Sequence, residues 1–341
     1  MSEVPATTKP LETLLRLDGA SKTYPVTHGL VRRARRETRK AARAVDEVTL
    51  SVSAGQSLGI VGESGSGKTT VARMILGLVE LTAGRVMFDG RDVTHVSRAE
   101  RRRLARDIQG VFQDPYSSLN PRQRVRRIIR EPLDIHRIGT PAERDARVLE
   151  LMEQVALPRR YANSYPHELS GGLRQRVGIA AALAVRPKLI VADEPVSALD
   201  VSVQAQILQL FTQIREQTGI AIVFISHDLS SVAEVCDSVA VMCLGRIVET
   251  GPSEQVYEHP VHPYTKALLS AVLPTDLTTP FEPIKLAGEP PSPLEPLSGC
   301  VFHTRCWLAE PVCTERTPEA VEYDERHQAC CHVAARGLSV R

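Results

Sequence analysis

The chain has 341 residues, of which 43% are hydrophobic, so it can form a sizeable core and more than one small domain. Its formal net charge of +2 and its aromatic content of 4% argue against anionic polymers and stacked bases as ligands. No secretion signal is visible, and the apolar runs are too short to span a bilayer. We therefore expect a soluble, cytoplasmic chain that binds no nucleic acid.

The first predicted elements in chain order are strands. The stretches LLRLDGASKTY (14–24) and AVDEVTLSVSAG (44–55) alternate in polarity as half-buried strands do. Between them, RRARRETRKAARA is strongly basic. Such a run is either a solvated face or a contact for anionic lipid or a partner.

A phosphate-binding loop follows the apolar run at residues 58–61. The stretch GESGSGKTT (62–70) matches G-x-x-x-x-G-K-[ST], in which backbone N–H groups surround the phosphates, the lysine reaches them and the hydroxyl binds Mg²⁺. The loop therefore predicts a nucleoside triphosphate ligand, held by Gly62, Glu63, Ser64, Gly65, Ser66, Gly67, Lys68, Thr69 and Thr70.

The rest of the first 275 residues reads as an α/β domain. GRVMFDGRDV predicts a hairpin around Asp89 and Gly90, and two amphipathic helices follow between residues 115 and 165. Helices then alternate with three apolar strands, LIVADEP, GIAIVFISHD and DSVAVMCLGRIVETG. This alternation predicts a largely parallel sheet with a helical insertion.

The strand LIVAD ends in two carboxylates, Asp193 and Glu194. A carboxylate here can hold Mg²⁺, and its neighbour can orient or deprotonate an attacking water. Alone the pattern is weak, but it gains weight because it follows a phosphate-binding loop.

The stretch LSGGLRQR (169–176) resembles the signature motif of ABC-transporter ATPases. In family order, Gln113 resembles the Q-loop glutamine, SALD (197–200) the D-loop, His227 the switch histidine and Tyr24 the adenine-stacking aromatic. The resemblance implies a RecA-like parallel sheet, an antiparallel β subdomain and a helical subdomain. We place the nucleotide-binding domain at 1–275, its helical subdomain at about 114–190, and a Pro-rich, Cys-rich extension at 276–341.

The resemblance also implies a head-to-tail dimer that encloses ATP between the loop of one subunit and Ser170, Gly171 and Gly172 of the other. It implies catalytic roles for Lys68, Gln113, Glu194 and His227, and Mg²⁺ ligands from Thr69, Gln113 and Asp193. Leu173 departs from the family's usual glutamine, and Ala181 stands where arginine is common. Leucine loses about one hydrogen bond, worth on the order of 1 kcal/mol, so the composite site is expected to be weakened.

Further stretches resemble the dipeptide and oligopeptide importers: DPYSSLNPR (114–122), HPYT (262–265) and GEPPSP (288–293) before SGC. The insertion near Gly29 and Leu30 resembles the second of their two ATPase subunits. The implied partners are a second ATPase, two transmembrane permeases and, through them, an extracytoplasmic substrate-binding protein. The chain would lie on the cytoplasmic face of the membrane, and the cargo would be peptides, nickel chelates, glutathione or another small solute.

The C-terminal stretch carries five cysteines, and four thiolates from a short loop-rich segment suit an iron–sulfur cluster or Zn²⁺. The resemblance favours a [4Fe–4S] cluster, with Cys331 rather than Cys330 as the last ligand. Zinc, with His327 or His332, and unligated thiols are the alternatives. The predicted ligands are Cys300, Cys306, Cys313 and Cys331.

Two other functions fit parts of the sequence. A soluble ABC ATPase of DNA repair or translation would usually carry two cassettes or a long coiled coil, and neither is visible. A regulatory subunit with weak hydrolysis is consistent with Leu173.

Overall fold

The computed structural model describes residues 12–25, 41–114, 118–271, 283–286, 288, 291–292, 294 and 297–336. Several sequence predictions lie partly or wholly outside these ranges. They concern Gly29 and Leu30, most of the basic run, residues 115–117 of DPYSSLNPR, and the linker with the domain boundary near residue 275.

The described strands fall into two sheets. In chain order they are β1 (Thr13–Pro25), β2 (Ala41–Ser53), β3 (Ser57–Val61), β4 (Ala83–Phe88), β5 (Arg91–Asp92), β6 (Ile108–Val111), β7 (Leu189–Asp193), β8 (Ala221–Ser226), β9 (Ser238–Cys243), β10 (Arg246–Pro252), β11 (Val321–Asp324) and β12 (His327–Ala329).

The described helices lie mainly between and around these strands. They are α1 (Lys68–Ile75), α2 (Arg98–Asp107), α3 (Val125–His136), α4 (Pro141–Gln154), α5 (Gly171–Leu183), α6 (Val201–Thr218), α7 (Leu229–Val235), α8 (Ser253–Glu258), α9 (Pro263–Ser270), α10 (Pro311–Glu315) and α11 (His332–Arg336). Among the residues described, no helix combines the length and apolar character that crossing a bilayer requires.

The smaller sheet is antiparallel and has the order β2-β1-β4-β5. The predicted hairpin between β4 and β5 is confirmed, and both turn residues have positive φ, 51° at Asp89 and 72° at Gly90. Buried residues of β1, β2 and β4 share one apolar cluster with α1 and the neighbouring face of the larger sheet. This cluster fixes the small sheet beside β3 and the phosphate-binding loop.

The larger sheet has the order β11-β12-β10-β9-β3-β8-β7-β6, and its strands from β6 to β9 are parallel. The predicted α/β core is therefore confirmed. One prediction is wrong: the stretch DSVAVMCLGRIVETG forms the antiparallel pair β9 and β10, not a single strand. It reverses at Leu244 and Gly245, whose φ angles of 43° and 87° form a tight turn.

The helical insertion lies on the other apolar cluster. Buried residues of α3, α4 and α5 belong to one cluster that continues to β7, β8 and α6. Helix α4 begins with a capping box, in which Thr140 accepts from the N–H of Glu143 and Glu143 accepts from the N–H of Thr140. The two predicted amphipathic helices are thus confirmed, and they pack against the signature helix α5.

The C-terminal residues return to the larger sheet. Strand β12 pairs with β10 through Ala329 and Gln328, and β11 pairs with β12. A buried contact of 2.8 Å between His327 Nε2 and Glu249 Oε1 joins β12 to β10. The segment that carries the cysteines is therefore fixed to the same sheet that carries the phosphate-binding loop.

Candidate nucleotide-binding site

The phosphate-binding loop joins the fully buried strand β3 to helix α1. A Cβ on Gly62 would stand 2.1 Å from the carbonyl oxygen of Met242, and one on Gly67 would stand 2.3 Å from that of Ala44. Gly67 also has φ of 109°, which disfavours a side chain. Both glycines are therefore required by close backbone packing. The Ser66 hydroxyl is buried beside Gly62 and has no hydrogen-bond partner among the residues that the structure describes.

Lys68 is buried at the start of α1. Its Nζ donates to the carbonyl oxygens of Gly62 at 2.7 Å and Glu63 at 2.9 Å. Burial lowers the pKa of Lys68, while Glu194, Asp193 and Glu63 oppose that shift. The ammonium group is thus held inside the loop, where the predicted phosphates would lie.

Thr69 and Asp193 bring a hydroxyl and a carboxylate together. Thr69 Oγ1 donates to Asp193 Oδ1 at 3.2 Å, across the 124 residues that separate them in sequence. Asp193 is 6% exposed, and burial raises the pKa of its carboxyl group, with the hydrogen bond from Thr69 acting against it. Paired hydroxyl and carboxylate oxygens are a donor set that suits Mg²⁺. The residues present therefore fit the predicted ion.

Glu194 and His227 follow β7 and β8 and come together at the carboxyl ends of these strands. His227 Nδ1 lies 3.5 Å from Glu194 Oε2, with side chains 57% and 16% exposed. Glu194 has φ of 47°, and its N–H donates to the Ile225 carbonyl at 3.0 Å. The backbone of β8 therefore holds a carboxylate and an imidazole beside Asp193.

The signature residues lie at the start of α5. Ser170 is the exposed N-cap residue, and its side chain makes no capping hydrogen bond. Gly172 is buried, and a Cβ there would stand 2.4 Å from Cγ1 of Val203 in α6. Gly171 is half-buried. Leu173, the residue that replaces the expected glutamine, is partly buried against the apolar cluster of the helical insertion.

The contacts given so far include neither Tyr24 nor Gln113, which are two of the predicted site residues. Tyr24 is half-buried near the end of β1, and the Lys22 ammonium lies 5.2 Å from its ring centroid. Gln113 is exposed just after β6. The structure gives neither residue a hydrogen bond to the loop within the described part of the chain, so their roles stay predictions.

The sequence analysis missed two residues that hold the loop from the C-terminal half. The hydroxyl oxygen of Tyr264 accepts the Glu63 N–H at 2.8 Å, and Tyr264 is fully buried. Arg305 donates to both carboxylate oxygens of Glu63, at 2.6 and 3.0 Å. Tyr264 lies in the quoted stretch HPYT and Arg305 beside Cys306, yet nothing in those motifs indicates contact with residue 63.

The predicted cysteine ligands are close enough to interact electrostatically. Burial raises the pKa of Cys300 to about 11, and Cys313, Cys331 and Cys306 add to that shift. Burial also raises the pKa of Cys306, with further contributions from Cys331 and Cys313.

Cys330 is distinct from these four thiols. Burial raises its pKa, Arg246 opposes the shift, and Cys331 is the one thiol that contributes to it. Within the part of the chain that the structure describes, no three His, Cys, Asp or Glu side chains form a metal-binding arrangement. The four predicted cysteine thiols are chemically suited to bind a metal, but in this structure they are not arranged as a ligand shell.

The remaining cysteines behave as predicted from their apolar surroundings. Cys236 and Cys243 are buried, and burial raises the pKa of both thiols. They are small core residues of the larger sheet and the turn before it.

Two models of known protein families match separate regions of the chain. The family model described as ABC transporter matches residues 45–197, and that described as oligopeptide/dipeptide transporter, C-terminal region, matches residues 248–313. The first region contains the phosphate-binding loop, the signature stretch and β7. The second contains Tyr264, Arg305 and three of the predicted cysteine ligands.

Full-length relatives show the same similarity. The oligopeptide transport ATP-binding protein AppF of Bacillus subtilis (strain 168) is 46% identical over 325 residues, 94% of this chain and 98% of AppF. The di/tripeptide transport ATP-binding protein DppF of Pseudomonas aeruginosa (strain UCBPP-PA14) is 45% identical over 323 residues, 94% of this chain and 98% of DppF.

A solved structure shares the fold of the nucleotide-binding part. The ATP-binding cassette MJ0796, in a dimeric post-hydrolysis state bound to ADP and Pi, superposes with a TM-score of 0.62 at 30% identity. The match covers 70% of this chain and 99% of MJ0796.

Proposed function

Because this chain belongs to the ATP-binding proteins of ABC transporters, in the branch with the oligopeptide/dipeptide C-terminal region, we propose that it hydrolyses ATP to energise peptide import. The observation that carries the proposal is the meeting of Lys68, the Thr69–Asp193 pair and the Glu194–His227 pair at the carboxyl ends of neighbouring parallel strands. Ligands bind at that end of open α/β sheets.

Each of these residues has a role that its surroundings support. The loop N–H groups and Lys68 bind the phosphates, and Thr69 and Asp193, together with Gln113, would hold Mg²⁺. When bound, the ion would neutralise charge on the phosphate oxygens. Glu194 orients and polarises the attacking water, and His227 contacts the terminal phosphate.

The second half of the ATP site comes from another ATPase subunit. The exposed Ser170 hydroxyl, with no capping bond of its own, is available to a phosphate of a facing subunit together with Gly171 and Gly172. Tyr24 stacks on the adenine. MJ0796, the solved relative, is itself dimeric. ATP binding would close the pair and hydrolysis would reopen it.

The closure drives two membrane permeases, which receive cargo from an extracytoplasmic binding protein. AppF and DppF carry oligopeptide and di/tripeptide transport in their names, which favours peptides over nickel chelates or glutathione as cargo. The chain would lie peripherally on the cytoplasmic face of the membrane, with its helical subdomain, about 114–190, against the permeases.

The test is the substitution Glu194→Gln. It should leave Mg-ATP affinity within about twofold of wild type and lower turnover at least ~100-fold, because general-base catalysis is worth about that much. ATP binding is measured by calorimetry and turnover by phosphate release. Glu216→Gln, on the exposed side of α6, is the matched control and should keep full turnover. Full turnover in Glu194→Gln would remove Glu194 from the mechanism.

A regulatory subunit is the second candidate, and Leu173 is the observation that favours it. An apolar side chain stands where a nucleotide-facing amide is expected, and it packs into the protein. The same phosphate-release assay, run with and without the partner ATPase, separates the two functions. With the partner ATPase present, a regulatory subunit would leave the turnover of the mixture unchanged when it carries Glu194→Gln, whereas the ATPase would lower it.

We further propose that Cys300, Cys306, Cys313 and Cys331 hold a [4Fe–4S] cluster in a C-terminal domain that follows residue 275. The Cys300 N–H donates to the Cys313 carbonyl oxygen at 2.8 Å, so the segments that carry these two cysteines lie together. Cys331, rather than Cys330, acts on the pKa of Cys300 and of Cys306, which favours Cys331 as the fourth ligand. Cys thiolates are the ligands that such clusters use.

The cluster is tested on anaerobically purified protein. Wild type and Cys330→Ser should show the same broad visible absorbance and about four irons per chain, whereas Cys331→Ser should lose both. A colourless wild-type protein that contains zinc would favour Zn²⁺, and one without metal would favour free thiols. Either result would overturn the cluster and leave the ATPase proposal standing.

A further inference from the structure

Glu63, the second residue of the phosphate-binding loop, is held by groups from the C-terminal half of the chain. The Arg305 guanidinium donates through Nη1 and Nη2 to the two carboxylate oxygens, which is a bidentate, charge-assisted contact. The Tyr264 hydroxyl accepts the Glu63 N–H at 2.8 Å. Both the side chain and the backbone of this loop residue are therefore fixed from outside the loop.

The two holding groups support each other. Phe302 is 1% exposed, and its ring lies 5.2 Å from that of Tyr264 and 5.9 Å from that of His262. Three residues later in the chain, Arg305 reaches Glu63. We call residues 302–306 the strap, because this short segment packs on Tyr264 through Phe302 and contacts the loop through Arg305.

The strap is connected to the phosphate-binding lysine through one intervening residue, Glu63. Lys68 Nζ donates to the Glu63 carbonyl oxygen at 2.9 Å, so a single residue connects Arg305, Tyr264 and Lys68. The Arg305 and Glu63 side chains are 10% and 31% exposed. Removing the guanidinium would leave a half-buried carboxylate uncompensated in the loop that receives the triphosphate.

We propose that the strap positions the phosphate-binding loop, with Arg305 as a positioning residue that holds Glu63 and cancels its charge. The inference rests on the proposed function and deepens it, because ATP affinity then depends on the C-terminal segment. A loop without the strap would present a mobile negative charge to an anionic ligand.

Calorimetric titration with Mg²⁺ and a non-hydrolysable ATP analogue is the test. Arg305→Ala is expected to weaken binding at least ~5-fold. Arg305→Lys keeps the positive charge but cannot donate from two nitrogens to both carboxylate oxygens, so its affinity should lie between those of wild type and Arg305→Ala. The double variant Arg305→Ala with Glu63→Gln should bind better than Arg305→Ala, because the uncompensated charge is gone. Arg336→Ala is the control: it removes another C-terminal ion pair, with Glu310, and should bind as wild type does.

Kinetics separate positioning from a general loss of structure. Arg305→Ala should raise KM for ATP and leave kcat within about twofold, whereas a partly unfolded protein would lose kcat and keep KM. The visible absorbance of the same samples checks whether the substitution has changed the proposed cluster, for which the neighbouring Cys306 is a ligand.

Two results would overturn the proposal that the strap positions the phosphate-binding loop. One is binding by Arg305→Ala within twofold of wild type. The other concerns the single variant Glu63→Gln, measured in the same titration: if the double variant's loss equals the product of the losses in Arg305→Ala and Glu63→Gln, the two residues do not interact. A wild-type protein that binds no analogue would instead defeat the proposed function itself, so the two failures are distinguishable.

Discussion

At the scale of single residues, His262 shows how burial controls protonation next to the site. Its ring Nδ1 accepts the backbone N–H of Tyr264 at 3.0 Å, and the backbone N–H of His262 donates to Glu249 Oε2 at 2.9 Å. Burial lowers the pKa of His262 from 6.5 to about 4, and Glu249 opposes the shift only in part. The imidazole is thus neutral in the folded protein and acts as the N-cap acceptor of α9.

This shift predicts a pH-dependent stability. Below about pH 6.5 the unfolded chain protonates His262 and the folded chain does not, so the free energy of unfolding falls as the pH drops towards 4. The loss at about pH 5 should be about 2 kcal/mol. His262→Asn keeps an N-cap acceptor and removes the titration. Urea unfolding at about pH 7.5 and about pH 5 should show a smaller difference in the variant. Equal differences would contradict the assignment.

At the scale of elements, two glycines of the signature helix α5 have opposite surroundings. A Cβ on Gly172 would stand 2.4 Å from Cγ1 of Val203, a stiff β-branched side chain of α6. A Cβ on Gly178 would meet no atom of the described part of the chain within 4 Å. Gly172 therefore sets the approach of α5 to α6, whereas Gly178 has no packing reason to be glycine.

The two glycines predict opposite changes in stability. Gly172→Ala should lower the free energy of unfolding by about 1–3 kcal/mol through overpacking. Gly178→Ala should raise it by about 0.5–1 kcal/mol, because alanine restricts the unfolded chain and favours helix. Thermal unfolding of the two variants and wild type measures both. A stabilised Gly172→Ala would show that α5 and α6 can separate at no cost.

Most of these elements could be predicted from local sequence. The amphipathic helices α3 and α4 and the hairpin at Asp89 and Gly90 depend on periodicity and turn chemistry within about a dozen residues. The missed turn between β9 and β10 involves Leu244, whose positive φ is unusual for its residue type. An apolar run that continues through such a residue reads as one strand.

At the scale of the whole molecule, Glu249 joins three parts of the chain. It is 1% exposed in β10, and its carboxylate accepts the N–H groups of Val261 and His262 and contacts His327 of β12. The sheet, the segment before Tyr264 and the C-terminal hairpin therefore meet on one side chain.

Glu249→Ala should lower the free energy of unfolding by about 3–5 kcal/mol, because it leaves the buried His327 and two N–H groups without their acceptor. Glu249→Gln keeps an acceptor oxygen and should lose less than half as much. Urea unfolding measures the loss, and hydrogen exchange over residues 321–336 locates it. Equal losses in the two variants would mean that the carboxylate contacts contribute nothing.

Some residues of the nucleotide site could be predicted from local sequence and others could not. The predictable ones belong to short motifs whose chemistry follows from the residue types: Lys68, Thr69, Asp193 and Glu194. The contact between Glu63 and Arg305 joins residues 242 positions apart, and an arginine among surface-like residues carries no sign of its partner. Such contacts follow from the path of the whole chain, so the sequence could not predict them.

The pairing of β12 with β10 has a practical consequence for shortened chains. Ending the polypeptide before β11 would remove β12, one of the two strands that pair with β10, and expose main-chain donors and acceptors of β10 to solvent. Open strands of this kind pair with other molecules. Chains that end there are therefore expected to self-associate, and their inactivity would report aggregation alongside the loss of Cys330 and Cys331.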